Sequence, residues 1–145
     1  MLLAALGNHA QQKIPTDTVK EAVTPGLITV MGGTVPGQTT DAVAVRLAQA
    51  INCKCVVDAT NVPGVYAQDP RKHPELPMLP RLTHKELVDI VGPSLQPGMS
   101  AVVDPVAAQR LKESNITCCV IGGMDLENLE RCLRSQEFTG TIIAD

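Results

Sequence analysis

The sequence predicts an α/β protein with a mainly parallel sheet and helices on both of its faces. Three observations predict this class. Residues 27–31, 54–59, 116–121 and 141–144 are near-continuous apolar runs of strand length, the pattern of strands buried on both faces. Helix-like segments at 41–51, 83–91, 105–114 and 125–133 alternate with those runs, as in sheets whose strands are joined by crossover helices. The chain has 145 residues, 44% apolar and 19% charged, enough for one domain with a substantial core. No internal repeat divides it, so residues 1–145 are read as one domain.

Taken in order, residues 1–7 (Met-Leu-Leu-Ala-Ala-Leu-Gly) read as the end of a buried helix. No capping residue precedes it, so the chain is expected to begin inside an element. Residues 13–23 read as loop with one short helical turn, and Pro25-Gly26 as a turn. The first strand is expected at 27–31. The helix at 41–51 carries small and branched apolar residues around most of its circumference and should be largely buried. The second strand is expected at 54–59. Residues 60–80 follow as a long loop holding Pro63, Pro70, Pro74, Pro77 and Pro80.

Thr83 and Glu86 have capping-box spacing and predict a short helix through Val91. Residues 92–101 form a Gly-, Pro- and Ser-rich loop. Asp104-Pro105 opens the next helix with proline at its first position. A third strand at 116–121 ends at Gly122-Gly123, and a short helix and a final strand close the chain.

Composition removes several function classes. Net charge is -3 and only Arg71-Lys72 are adjacent basic residues, so the basic stripe of a nucleic-acid binder is absent. Tyr66 and Phe138 are the only aromatic residues, which leaves no base-stacking platform. No apolar run approaches a membrane span. The apolar start lacks a positive n-region and is too short for a signal peptide, so a cytosolic protein is expected. Cys53, Cys55, Cys118, Cys119 and Cys132 form no C-x-x-C pair and have no matching histidine cluster for zinc. They are read as reduced, structural residues.

The stretch Gly32-Gly33-Thr34-Val35-Pro36-Gly37-Gln38-Thr39-Thr40-Asp41 lies between an apolar run and a helix. Glycines permit tight turns and close approach. The first N–H groups of the helix have no partner inside it and favour an anion. Thr39 and Thr40 sit where an N-cap belongs, with hydroxyls able to donate to phosphate oxygens. The alternative is a plain strand-to-helix turn, since the stretch is neither G-x-G-x-x-G nor a Walker A loop. Asp41 would repel phosphate unless it held a lysine or a metal, and it also fits as a dipole partner in a first helical turn.

A second stretch, Thr60-Asn61-Val62-Pro63-Gly64-Val65-Tyr66-Ala67-Gln68-Asp69-Pro70, follows the second strand. Tyr66 could lie against a base or ribose and Asp69 could accept from ribose hydroxyls. The alternative is a surface turn with a packed tyrosine, because Asn, Gly, Pro and Asp are turn residues first. Both stretches leave strands at the carboxyl end, where open α/β sheets bind ligands.

Gly-Gly-Thr-x-Pro-Gly-x-Thr-Thr-Asp-Ala followed by Thr-Asn-Val-x-Gly-Val-Tyr-x-x-Asp-Pro resembles the archaeal type of uridylate (UMP) kinase, of the amino-acid-kinase superfamily. Later pieces agree: Arg81-Leu82-Thr83, Ser100 to Ala108, Glu127-Asn128-Leu129-Glu130-Arg131 and Gly140-Thr141-Ile142-Ile143. The resemblance covers nearly the whole chain but only the central and C-terminal part of the family. It implies a three-layer αβα sandwich of the amino-acid-kinase, carbamate-kinase-like type, incomplete at its N-terminus.

By matching positions it implies UMP at Val35, Pro36, Gly37, Gln38, Thr39, Thr40 and Asp41, and ATP at Thr60, Asn61, Tyr66 and Asp69. Asp41 would organise catalytic lysines. The implied enzyme is a cytoplasmic, Mg²⁺-dependent phosphotransferase of pyrimidine nucleotide biosynthesis, giving UDP, and a homo-oligomer, a hexamer by family resemblance. Its catalysis is in-line phosphoryl transfer, carried by positioning and charge neutralisation.

Departures accompany the match. The family's Gly-Gly-Ser loop, its Gly-Gly-Gly segment and a ribose-reading aspartate have no counterpart ahead of Met1. Pro63 stands where Asp is usual, and Gln109 where many relatives carry lysine. Two alternatives follow: a short form that binds nucleotide or subunits without turnover, and a sister kinase with another acceptor. A sheet lacking neighbouring strands is expected to be marginally stable or aggregation-prone.

Overall fold

Caps and apolar stripes place the helices where their sequences say. The structure, a computed structural model, describes residues 1–18, 22–34, 36, 38–93 and 102–145. Among these, α1 spans Leu2–Leu6 and runs into a 3-10 turn at Gly7–His9. α2 spans Thr40–Ala50, capped by Thr39, whose Oγ1 accepts from the Ala42 N–H at 3.2 Å. β1 is Cys55–Thr60, β2 Val65–Tyr66, β3 Met78–Leu79 and β4 Arg81–Leu82.

α3, His84–Val91, carries the full capping box: Thr83 Oγ1 accepts from the Glu86 N–H, and Glu86 Oε2 accepts from the Thr83 N–H at 2.7 Å. α4, Pro105–Ser114, is capped by Asp104, with Pro105 in the first turn and Asn115 left-handed at its end. β5 is Thr117–Gly122, α5 Leu126–Leu133 and β6 Thr141–Ile143.

The main sheet has the order β1-β5-β6-β4. β1 runs parallel to β5 and β4 parallel to β6, while β5 and β6 are antiparallel. β5 is an interior strand, with four consecutive buried residues, which explains its unbroken apolar run. Alternate residues serve opposite faces. Cys118, Val120 and Ile143 join Val45 and Ala48 of α2, Leu87 and Val91 of α3, and Ala107, Ala108 and Leu111 of α4 in one core. Cys119 and Ile121 pack with Cys132 and Leu129 of α5 and with Phe138. Three layers result, as the alternation predicts.

Several expectations are corrected. Residues 27–31 form no strand; Ile28 makes one isolated parallel bridge with Ala10, and Leu27 and Ile28 are exposed. The segment at 2–6 is helical but has no buried residue. Among the described residues its apolar pattern is covered only in part, with Leu3 and Leu6 half-buried. The proline-rich stretch 60–80 is not all loop. It holds β2 and β3, paired antiparallel as a separate two-stranded sheet. Pro80 lies where the chain passes from that pair to the main sheet, its carbonyl accepting from the Ile142 N–H at 3.0 Å. Proline suits such a switch because no ladder donor is needed there. Of the cysteines, all are free, but Cys53 and Cys55 are exposed rather than core residues: Cys53 precedes β1, and Cys55 begins it, an edge strand among the described residues.

Candidate functional site

The start of α2, the middle of β1 and the beginning of β5 line one common cavity. Asp41 stands in the first turn of α2. Its Oδ2 accepts from the Asp104 backbone N–H at 3.2 Å, and the Thr40 hydroxyl donates to its Oδ1 at 3.4 Å. The carboxylate is thus fixed between the starts of two helices, α2 and α4. A cavity of about 140 Å³ opens beside it, lined by Thr40, Asp41 and Asp58 among apolar residues of α2, β1 and α4.

Asp58 is the charged residue inside the apolar run of β1. Its Oδ2 is buried and has no hydrogen-bond partner among the described residues. Burial first, and then the charge of Asp41, push its carboxyl up to about 7.

The first stretch is only partly described, since Val35 and Gly37 lie outside the described residues. Thr39 is the cap of α2, Thr40 is its first residue, and Pro36 is exposed. Gln38 Oε1 and Thr34 Oγ1 are buried without a partner among the described residues. Neither Gly32 nor Gly33 uses left-handed backbone, and a Cβ on either would meet nothing within 4 Å.

The second stretch builds two adjoining cavities. One, of about 280 Å³, has Val65, Leu87, Val91 and Val103 in its wall and Tyr66, Asp69, Lys72 and His73 at its polar side. The other, of about 90 Å³, is lined by Thr60, Asn61, Asp69 and Arg71 with neighbouring residues. Asp69 belongs to both. Its Oδ1 accepts from the Arg71 N–H at 3.0 Å, and its carbonyl accepts from the Lys72 and His73 N–H groups. This turn brings three consecutive basic side chains, Arg71, Lys72 and His73, to the cavity walls. The Thr60 hydroxyl is engaged locally, accepting from the Val62 N–H and donating to the Val62 carbonyl, both at 3.0 Å. It shapes the turn into Asn61.

Val103 lines both the Asp41 cavity and the Tyr66 cavity. Val102 lines both cavities of the second stretch. The two stretches singled out in the sequence therefore meet across Val102-Val103-Asp104.

A family model, the amino acid kinase family, matches residues 3–122. The chain belongs to this family. It is similar to the uridylate kinase of Methanococcoides burtonii, with 41% identity over 97% of this chain and 63% of that protein. The uridylate kinase of Methanococcus aeolicus is 40% identical over 99% of this chain and 64% of its own length. The crystal structure of uridylate kinase from Archaeoglobus fulgidus superposes with a TM-score of 0.85 at 36% identity, covering 99% of this chain and 65% of that one. The chain thus spans less than two thirds of the length of these relatives.

For this amino acid kinase family member, sequence reasoning missed Asp58, the basic side of the larger cavity and the α3 wall formed by Leu87, Ile90 and Val91. Asp58 had a signal, a carboxylate within an apolar strand run. The α3 wall had none, because α3 meets the second stretch only through the tertiary fold.

Proposed function

We propose that this chain is most of a UMP kinase, a transferase that moves the γ-phosphoryl group of ATP to UMP and releases UDP. One observation carries the reading: the Asp41 cavity and the Tyr66–Asp69 cavity abut at Val103, so an acceptor on one side and a donor on the other would meet at that wall. The similarity to uridylate kinases over nearly the whole chain selects the chemistry.

In this reading UMP lies along Val35, Pro36, Gly37, Gln38, Thr39, Thr40 and Asp41, its phosphate near the start of α2, where unpartnered N–H groups and the helix dipole favour an anion. ATP lies against Thr60, Asn61, Tyr66 and Asp69, with its base in the apolar cavity behind Tyr66. Arg71 and Lys72 face the donor and offset its charge, with His73 beside them. ATP enters as its Mg²⁺ complex and is treated as a substrate. Among the described residues no group of three or more His, Cys, Asp or Glu could hold a metal, so the ion's ligands would come chiefly from the phosphates.

No covalent intermediate is needed, and the protein contributes alignment and electrostatics. Asp41, held by the Asp104 N–H, is the group that would orient cationic side chains at the reacting phosphoryl. The whole enzyme is read as a single-domain fold in each subunit, cytoplasmic and homo-oligomeric, serving pyrimidine nucleotide biosynthesis. No described helix is long and apolar enough to cross a membrane.

A second reading has its own support. No lysine or arginine is among the described residues lining the Asp41 cavity, which favours nucleotide binding without turnover. Incubation with MgATP and a panel of acceptors, with UDP and other products resolved by chromatography, separates the two. UDP as the main product is expected, with Asp41→Asn lowering kcat by about 10²-fold or more. Nucleotide binding with no product would establish the second reading, and faster turnover of another acceptor would make the chain a sister kinase.

A further inference from the structure

We infer that Thr141 is a positioning residue for the nucleotide cavity, holding the strand that carries Tyr66 through its buried hydroxyl. The inference rests on the ATP-site reading above and adds a residue outside both site stretches. Thr141 is fully buried at the first position of β6. Its Oγ1 accepts from the Val65 N–H at 2.8 Å and donates to the Leu79 carbonyl at 2.6 Å. One hydroxyl therefore engages both strands of the β2–β3 pair and ties that pair to the main sheet.

The tie matters because β2 and β3 are only two residues long each, and a two-stranded ribbon is at best marginally stable alone. Val65 and Tyr66, all of β2, line the larger cavity, and the chain continues directly into Ala67, Gln68 and Asp69 on the same wall. Thr141 is thus a side-chain hydrogen-bond link between this wall and β6, one residue removed from Tyr66 itself.

The surroundings fix the hydroxyl in turn. A Cβ at Gly64 would stand 2.7 Å from Thr141 Oγ1 and 2.7 Å from the Met78 sulfur, so glycine is what lets the chain pass over this point. A Cβ at Gly140 would stand 2.5 Å from the Val120 carbonyl oxygen, so the residue ahead of Thr141 is pressed onto β5. Beyond it, Ile142 and Ala144 donate to the Pro80 and Leu82 carbonyls, each at 3.0 Å. The Gly140-Thr141-Ile142-Ile143 segment therefore serves the site at a distance.

Tyr66 provides the readout. The sequence contains one tyrosine and no tryptophan, so intrinsic emission excited for tyrosine reports residue 66 alone. The experiment compares the unsubstituted chain with Thr141→Val, which keeps shape but loses the hydroxyl, and Thr141→Ser, which keeps the hydroxyl. Two signals are read: acrylamide quenching of Tyr66 without ligand, and the emission change on titrating the Mg²⁺ complex of a non-hydrolysable ATP analogue.

Thr141→Val should raise acrylamide quenching and weaken analogue binding by about tenfold, since the buried Val65 N–H and the part-buried Leu79 carbonyl lose their partner. Thr141→Ser should restore both signals to within about twofold. Equal quenching and equal analogue affinity in all three chains would overturn the inference. A valine variant that is more readily quenched but binds the analogue normally would also overturn it, because the anchor would then be structural only. An unsubstituted chain whose Tyr66 ignores the analogue, while Thr141→Val still alters acrylamide quenching, would overturn the ATP-site reading and with it the role assigned to Thr141. Should circular dichroism show Thr141→Val unfolded, Gly64→Ala, which pushes on the same hydroxyl, replaces it. That variant should show the same paired loss, and normal behaviour in it would overturn the inference.

Discussion

Asp58 illustrates how a single residue acquires chemistry from its neighbours. A carboxyl on an edge strand would ordinarily stay ionised, but burial and the Asp41 charge raise it to about 7. Between roughly pH 4, where an unfolded aspartate ionises, and about 7, the folded chain holds a proton that the unfolded chain has released. Stability contributed by this group is complete below that window and declines as pH rises through it. The urea midpoint should therefore fall between pH 5 and pH 8, and Asp58→Asn should flatten that part of the profile. An unchanged profile in the asparagine variant would show that other groups set it. Glu86 has the opposite sign. Hydrogen bonds from Thr83 hold its carboxyl below its ordinary range, so its contribution is present at neutral pH and is lost as pH falls through the lowered value.

At the scale of elements, α3 joins a local capping device to the site. The capping box fixes its start, and Leu87, Ile90 and Val91 form one wall of the larger cavity. Its first residue, His84, is fully buried, with Nε2 2.9 Å from the Ile116 carbonyl and Nδ1 3.2 Å from the Asp145 carboxylate. Thr83→Ala should cost about 1 kcal/mol and lower the melting temperature by roughly 2–4 °C for a chain of this size. Because the wall loosens while Asp41 is untouched, KM for ATP should rise with kcat nearly constant in a UDP-forming assay. A loss confined to kcat would place α3 in contact with the reacting groups instead. α5 is fastened differently: Asn128 donates to the Thr139 carbonyl at 2.7 Å and accepts from its N–H at 2.8 Å. This clamp sets the chain's approach to Gly140 and Thr141, and it gives the Glu127–Arg131 motif a structural role.

Over the whole molecule, the five thiols divide by burial. Cys118, Cys119 and Cys132 are buried on the two faces of the sheet, and Cys53 and Cys55 are exposed beside its edge. A hydrogen bond with Cys119, partly opposed by burial, brings the Cys55 thiol down to about 7. An aromatic disulfide reagent at neutral pH should titrate two thiols quickly, Cys55 first, and three more only at the rate of global unfolding. Five thiols reacting at one rate would mean that the sheet opens as readily as its edge. Among the described residues β1 also has an open side, and an unpaired strand edge is a template for association. Size-exclusion chromatography should show concentration-dependent association of this chain. A monomer that melts sharply and reversibly would count against it.

The sequence by itself determined the α/β class, the strand at 116–121 and the ends of the longer helices. Those features are local: a cap at Thr39, Thr83 or Asp104 and an apolar run at 116–121 act within a few residues of chain. It also named the two stretches that meet at Val102-Val103-Asp104. The short strands at 65–66, 78–79 and 81–82 were hidden, because pieces of two residues have no period to read and are held by partners far along the chain. Residues 27–31 misled for the same reason, since an apolar run becomes a strand only where another strand receives its N–H and C=O groups. The raised carboxyl of Asp58 and the buried hydroxyl of Thr141 were decided by tertiary structure alone. Each depends on what lies across the sheet, from Asp41 to Val65 and Leu79, and no spacing along the chain encodes that distance.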